Sequence, residues 1–218
     1  MAEVKFCGLM RAGDAELAAT LGAAYVGVIF AGGPRRLDAS AARAVLDGAR
    51  VANGSAPRRV GVFGAQSADE IAALAAEASL DVAQLHGASH ATLVAALRAR
   101  FGGEIWRVLR VGDLIADGAL RDAAAGVDAV LVDALVPGVL GGSGTAVDWA
   151  RLRREIELGG RPARLVLAGG LHPGNVEEAI GLVGPDVVDV SSGVETAPGI
   201  KDHVKMRAFA HAAARGGR

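Results

Sequence analysis

Eight times between residues 4 and 216, a short apolar run rich in β-branched residues gives way to an Ala-, Leu- and Arg-rich stretch with helical spacing. The strand-like runs are VKFCGL, AAYVGVIFA, RRVGVFGA, DVAQLHG, EIWRVLRV, VDAVLVDAL, ARLVLAGGL and DVVDVSSGVE. They are nearly continuous in apolar residues, which is the pattern of strands covered on both faces and hence of a parallel sheet wrapped by helices. The helical stretches between them include AGDAELAATLG, SADEIAALAAEAS, a segment from Asp113 to Ala125, DWARLRREIELG and KDHVKMRAFAHAAARG. Ser67 and Glu70 read as a capping box, and Pro173 with Asn175 opens another helix. Gly22, Gly126 and Gly159 stand where C-terminal caps belong. No linker interrupts the series, at about 27 residues per unit. Eight consecutive βα units predict a closed (β/α)8 barrel, the TIM barrel of the α/β class, with residues 1–218 as a single domain. An open doubly wound sheet is the alternative, and no GxGxxG follows the first strand to support it.

Composition narrows the function classes. Aromatics are only 4% of the chain, so its core must be built from Ala, Val and Leu. A net charge of −1 gives no electrostatic reason to expect nucleic acid or an anionic membrane as partner. The single cysteine excludes an internal disulfide and any CxxC pair, and the five histidines show no metal-ligand spacing. No metal and no cofactor are therefore expected. The N-terminus lacks the features of a signal peptide, and no apolar run approaches the roughly 18 residues of a membrane span. A cytoplasmic protein is the expectation, as a monomer in preference to a homodimer.

In such a barrel the active site lies where the strands end. Those ends read Cys7-Gly8, Phe30 before AGGPRR, Gly64, His86-Gly87, Arg110, Asp133, Gly169-Gly170 and Ser191-Ser192-Gly193. Glycine and serine after the last two strands suit a phosphate held by backbone N–H groups, since glycine lets the backbone approach the anion. Taken singly, either cluster could simply make a tight turn. Asp133 closes the apolar run AVLV, where an unpaired carboxylate is costly to desolvate. It is a helix cap, an ion-pair partner or a functional group, and the glycine-rich loop VPGVLGGSG after it favours function. On the first strand Val4 and Phe6 share one face and Lys5 and Cys7 the other. Packing the apolar pair on the helices turns Lys5 and Cys7 into the barrel, with Cys7 at its mouth. A working thiolate needs electropositive surroundings, which Lys5 helps to supply. Arg35 or Arg36 can clamp a carboxylate or phosphate by paired hydrogen bonds. His86 is either a ligand contact or a core histidine.

Taken together, KFCGLMR, GVIFAGGPRR, DVAQLHG, LVDA, GGSGTAVDW, LAGGLHPGNV and VDVSSGVETAPGIKD, in this order, resemble the phosphoribosylanthranilate isomerase family of tryptophan biosynthesis. The resemblance implies an Amadori rearrangement of a small phosphosugar substrate by general acid–base catalysis, with no cofactor. It assigns Cys7 as general base, Asp133 as general acid and Arg35 to the carboxylate of the anthranilate ring. It places the phosphate on Gly144, Gly170, Ser192 and Gly193, and counts His86 and Asp189 among the substrate-binding residues. Arg36 departs from the family, where an aromatic often follows the arginine. The histidine-pathway Amadori enzyme, built on the same barrel, uses aspartates in both catalytic roles, and Cys7 argues against it.

Overall fold

The computed structural model describes residues 1–49, 56–87, 91–111, 116, 118–134 and 148–217. Its strands are β1 (Glu3–Phe6), β2 (Tyr25–Ile29), β3 (Arg58–Phe63), β4 (Val82–Leu85), β5 (Glu104–Val111), β6 (Ala129–Ala134), β7 (Leu165–Leu167) and β8 (Val187–Val190). The eight are all parallel and pair in sequence order, and β8 returns to β1 to close the barrel. Each strand leads into a helix: α1 (Ala12–Thr20), α2 (Ala39–Asp47), α3 (Ala68–Ala78), α4 (Ala91–Arg98), α5 (Ala119–Ala123), α6 (Trp149–Gly159), α7 (Val176–Val183) and α8 (His203–Gly216). The alternation of apolar runs and helical stretches is thus the TIM barrel that it predicts.

Local chemistry sets the helix ends. The Ser67 hydroxyl accepts from Glu70 N while Glu70 Oε2 accepts from Ser67 N, the reciprocal bonds of a capping box. Asp38, Asp148 and Asp202 accept from first-turn N–H groups of α2, α6 and α8. Gly22 and Gly126 take φ near +74° just after their helices. Gly159 is still helical, and Gly160 at φ +90° ends α6 instead. The helix read over Asp113–Ala125 is short: α5 spans Ala119–Ala123, entered through Gly118 at φ +78°, and residues 112–115 and 117 lie outside the described residues.

Two apolar layers hold the barrel. The outer one lies between strands and helices and takes Phe6, Val130 and Val132. The inner one fills the barrel with Tyr25, Val60, Val82, Trp106, Leu131, Val166 and Val187. Each buried Val or Leu of these layers contributes about 1.5–3 kcal/mol. The lower interior is blocked by Tyr25 and Trp106, edge to face with ring centroids 4.9 Å apart. Their polar tips are paired at the rim, Trp106 Nε1 donating to Glu104 at 2.8 Å and Tyr25 Oη accepting from Arg164 at 2.6 Å. Further up, the inward positions carry Gly27, Cys7, Gln84 and Asp189. These smaller and polar groups leave a cavity of about 380 Å³ at the C-terminal mouth.

A hairpin that the periodicity does not predict follows β8. A single 3-10 turn (Ser192–Val194) leads into β9 (Glu195–Ala197), which pairs antiparallel with β10 (Ile200–Lys201) across Pro198-Gly199. Gly199 has φ +82°, and a Cβ there would lie 2.3 Å from Met10 Sδ. The hairpin therefore packs on the loop after β1, to which Arg11 ties it by a 2.9 Å bond to Lys201 O.

Candidate active site

Strand parity aims the catalytic candidates as the alternation of faces requires. Phe6 packs outward, and Lys5 and Cys7 point into the barrel beside Gly27, where a Cβ would sit 3.4 Å from Lys5 Cε and 3.2 Å from Cys7 Sγ. Cys7 lies one residue past β1 but extends the ladder through a 2.9 Å bond from its N–H to Val190 O. Gly8 then takes φ +67°, and a Cβ on it would meet Arg35 Cδ at 2.8 Å and Ser191 Oγ at 3.0 Å. The Cys-Gly pair thus lets the arginine cross over the strand end directly beside the thiol.

The Cys7 side chain is 5% exposed. Burial pushes the thiol above its ordinary pKa, although Lys5 and, more weakly, Lys201 pull the other way. Lys5 is fully buried and donates to Asp189 Oδ1 at 2.9 Å. Burial alone would lower its pKa, but Asp189 and the adjacent thiol raise it overall, so it stays an ammonium under the sulfur. The electropositive neighbour read from the sequence is present, yet desolvation outweighs it and the resting thiol is protonated.

Asp133 is set in β6, three strands round the barrel from β1, and is 7% exposed. Its Oδ2 lies 3.9 Å from His86 Nε2. Burial, with the positive charges of Arg110 and Lys5, lowers the His86 pKa to about 4. The imidazole is consequently neutral, and at that distance the contact is neither an ion pair nor a hydrogen bond. His86 Nε2 is buried without a hydrogen-bond partner among the described residues and lines the cavity with Asp133.

The loops after β7 and β8 are shaped by their glycines. Gly169 and Gly170 take φ of +79° and +68° after β7. A Cβ on Gly193 would lie 1.9 Å from Leu171 O, so the loops after β7 and β8 touch only because this residue is glycine. Asn175 braces the first loop, accepting from His172 N at 2.8 Å and donating to Gly170 O at 3.0 Å. Gly170, Ser192 and Gly193 all line the cavity. Gly144 lies in residues 135–147, outside the described residues.

Arg35 also lines the cavity, but two of its nitrogens are engaged: Nε and Nη2 donate to the Glu195 carboxylate at 2.9 and 2.6 Å. Glu195 Oε1 in turn accepts from Lys201 Nζ at 2.8 Å. Burial would raise the Glu195 pKa, but these cations overcome it and hold the carboxyl below its usual value. Glu195 and Lys201 are absent from the residues that the sequence singles out. The available signal was the Pro198-Gly199 turn, which folds Lys201 back on Glu195. A second signal was the scarcity of lysine, since two of the chain's three lysines, Lys5 and Lys201, are buried in this rim. No group of three metal-binding side chains occurs among the described residues, and no helix there is long and apolar enough to cross a membrane.

A barrel with a buried thiol and a carboxyl on separate walls of one cavity, between an arginine and two glycine-rich loops, has the groups that an acid–base enzyme for an anionic small molecule requires. The family model for N-(5'-phosphoribosyl)anthranilate (PRA) isomerase matches residues 4–212. The N-(5'-phosphoribosyl)anthranilate isomerase of Acidithiobacillus ferrooxidans is 43% identical over 216 residues, covering 96% of each chain. The crystal structure of phosphoribosyl anthranilate isomerase from Thermus thermophilus superposes with a TM-score of 0.82 at 36% identity, over 97% of this chain and 98% of that one. A further phosphoribosyl anthranilate isomerase structure, in complex with reduced 1-(o-carboxyphenylamino)-1-deoxyribulose 5-phosphate, gives 0.79 at 29% identity, over 98% and 99% of the two chains. The chain belongs to the N-(5'-phosphoribosyl)anthranilate isomerase family.

Proposed function

We propose that this chain, residues 1–218 acting as one barrel domain, catalyses the Amadori rearrangement of N-(5'-phosphoribosyl)anthranilate to 1-(o-carboxyphenylamino)-1-deoxyribulose 5-phosphate, with Asp133 as general acid and Cys7 as general base. The observation that carries this reading is the placement of Cys7 and Asp133 on separate walls of a single cavity whose rim also holds Arg35, Gly170, Ser192 and Gly193. An ionic group at each end, carboxylate on Arg35 and phosphate on the glycine cradle, would stretch the substrate between the two catalytic groups. The ligand held by the crystallised relative has both of these ends.

The chemistry uses two proton transfers. Asp133 donates a proton to the ribose ring oxygen as the C1′–O bond breaks, and the anthranilate nitrogen lone pair forms the protonated Schiff base. That cation acidifies C2′–H, and Cys7 removes the proton to leave an enolamine, which tautomerises to the ketone. Each positioned acid or base is worth about 10²–10⁴ in rate. The reactive form carries its proton on Asp133 and a thiolate at Cys7. Lys5 beneath the sulfur offsets the charge that forms there, in surroundings where water does little screening. Neutral His86, its Nε2 turned to the same cavity, is placed to hydrogen-bond a sugar hydroxyl or the reacting carboxyl.

The test is the loss of substrate fluorescence on addition of the purified chain. Cys7→Ala and Asp133→Ala are each expected to lower kcat by at least about 10² with little change in KM. Near-normal turnover by Cys7→Ala would remove the base assignment, and absence of turnover by the unaltered chain would remove the reading. Because Cys7, Arg35 and Asp133 of the same chain reach one cavity, we infer that a monomer suffices, which light scattering of the active sample checks. A charged phosphosugar does not cross a bilayer unaided, which supports a cytoplasmic setting.

A further inference from the structure

Behind the cavity wall at Arg35, three charged side chains are packed in a row. Arg35 commits Nε and Nη2 to Glu195, and Glu195 Oε1 is shared between Arg35 Nε and Lys201 Nζ. The same ammonium donates to Ser191 O at 3.0 Å. Glu195 and Lys201 are 8% and 3% exposed, and Lys201 does not line the cavity. Two cations and one anion leave one positive charge unmatched where water screens poorly. The pair with Glu195 uses one N–H of Nε and one of Nη2, which leaves the Nη1 group and the second N–H of Nη2 for a ligand.

We propose that Lys201 is a specificity-determining residue for the carboxylate of the substrate's aromatic ring, acting through Glu195 on Arg35. With Lys201 in place, the Glu195 charge is cancelled from behind and the guanidinium presents a net positive charge to the cavity. Without it, Arg35 and Glu195 form a closed neutral pair, and a second carboxylate would approach an arginine already matched by an anion. The inference rests on Arg35 as the carboxylate site. A different role, bracing the Ser191 carbonyl and so the phosphate cradle, would weaken every phosphorylated ligand alike.

Two ligands separate these roles: reduced 1-(o-carboxyphenylamino)-1-deoxyribulose 5-phosphate and the same compound without the carboxyl group, each titrated calorimetrically into the full chain. Lys201→Gln, which keeps a donor for Ser191 but removes the charge, is expected to cut the affinity ratio of the two ligands by roughly tenfold. Affinity for the carboxyl-free ligand should stay within about twofold, and Lys201→Arg should restore the ratio. An unchanged ratio in Lys201→Gln, or equal loss of both ligands, overturns the proposal. Arg35→Ala serves as the control for the reading beneath it. If Arg35→Ala keeps the wild-type ratio, the carboxylate assignment itself is wrong. If it abolishes the ratio while Lys201→Gln does not, only the role of Lys201 falls.

A second arm does not depend on the folding of Lys201→Gln. Burial holds the Lys201 pKa below the ordinary lysine value, against the pull of Glu195. The carboxylate preference of the unaltered protein should therefore fall on the alkaline side, and in Lys201→Arg it should persist. The groups facing Lys201 are Glu195 on β9, Arg35 from the loop after β2 and Cys7 after β1, with exposed Lys205 of α8 on the Glu195 carbonyl. An arginine keeps its charge across this range, so coincident profiles in the two proteins would overturn the proposal.

Discussion

His86 shows how a single buried side chain couples this fold to pH. Its pKa is about 4 in the folded chain against an ordinary 6.5, because burial and the nearby Arg110 and Lys5 charges disfavour the imidazolium. Between those values the unfolded chain binds a proton that the folded chain refuses. The neutral histidine's contribution to stability is thus whole above about pH 6.5 and is lost as the pH falls towards about 4, amounting to roughly 3 kcal/mol. Urea unfolding at pH 7 and at pH 4.5 should show a steeper loss for the unaltered chain than for His86→Gln. Equal losses would mean that His86 is not held neutral. The position of this residue, ending QLHG, is legible in the sequence. Its protonation state is not, since it depends on Arg110 and Lys5, which lie 24 and 81 residues away in the chain. Cys7 is similar: parity points it inward beside Lys5, but only burial decides that the thiol rests protonated.

Among the elements, those with a sustained apolar period are read correctly and those without one are not. The eight barrel strands and the capped helix α3 follow from runs long enough to carry a pattern. The β9–β10 hairpin has strands of three and two residues, too short for any period, and only its Pro-Gly turn marks it. That hairpin nonetheless brings Glu195 and Lys201 to Arg35, so this side of the cavity escapes a reading by elements. The loops after β7 and β8, proposed to hold the phosphate, are the reverse case, because their glycines are visible as AGG and SSG. Gly193→Ala would drive a Cβ into Leu171 O and part the two loops. It should raise KM by at least about tenfold, the worth of one to two hydrogen bonds to a charged group, with the melting temperature as control. Unaltered KM with a folded variant would place the phosphate elsewhere.

For the whole molecule the decisive feature is the seam where β8 meets β1. Lys5 and Asp189 are direct register partners across it, and their side chains form the buried ion pair at the barrel's centre. The closure that completes the barrel therefore also seats the ammonium beneath Cys7. Lys5→Met would strand Asp189 without its counter-charge and should cost about 3–5 kcal/mol in urea unfolding, whereas Lys5→Met with Asp189→Leu should recover most of that. A loss below about 1 kcal/mol in the single variant would show that the pair is not structurally coupled to closure.

The sequence by itself determined the layered architecture, the inward turn of Lys5 and Cys7, and the glycine-rich strand ends, since periodicity and glycine placement are local properties of the chain. Tertiary structure alone decided which charges meet. The Arg35–Glu195–Lys201 row joins residues up to 166 positions apart, and the Lys5–Asp189 pair joins ends separated by 184. How burial and opposite charge balance at Lys5, Glu195 and Lys201 is decided only once the barrel has closed around them.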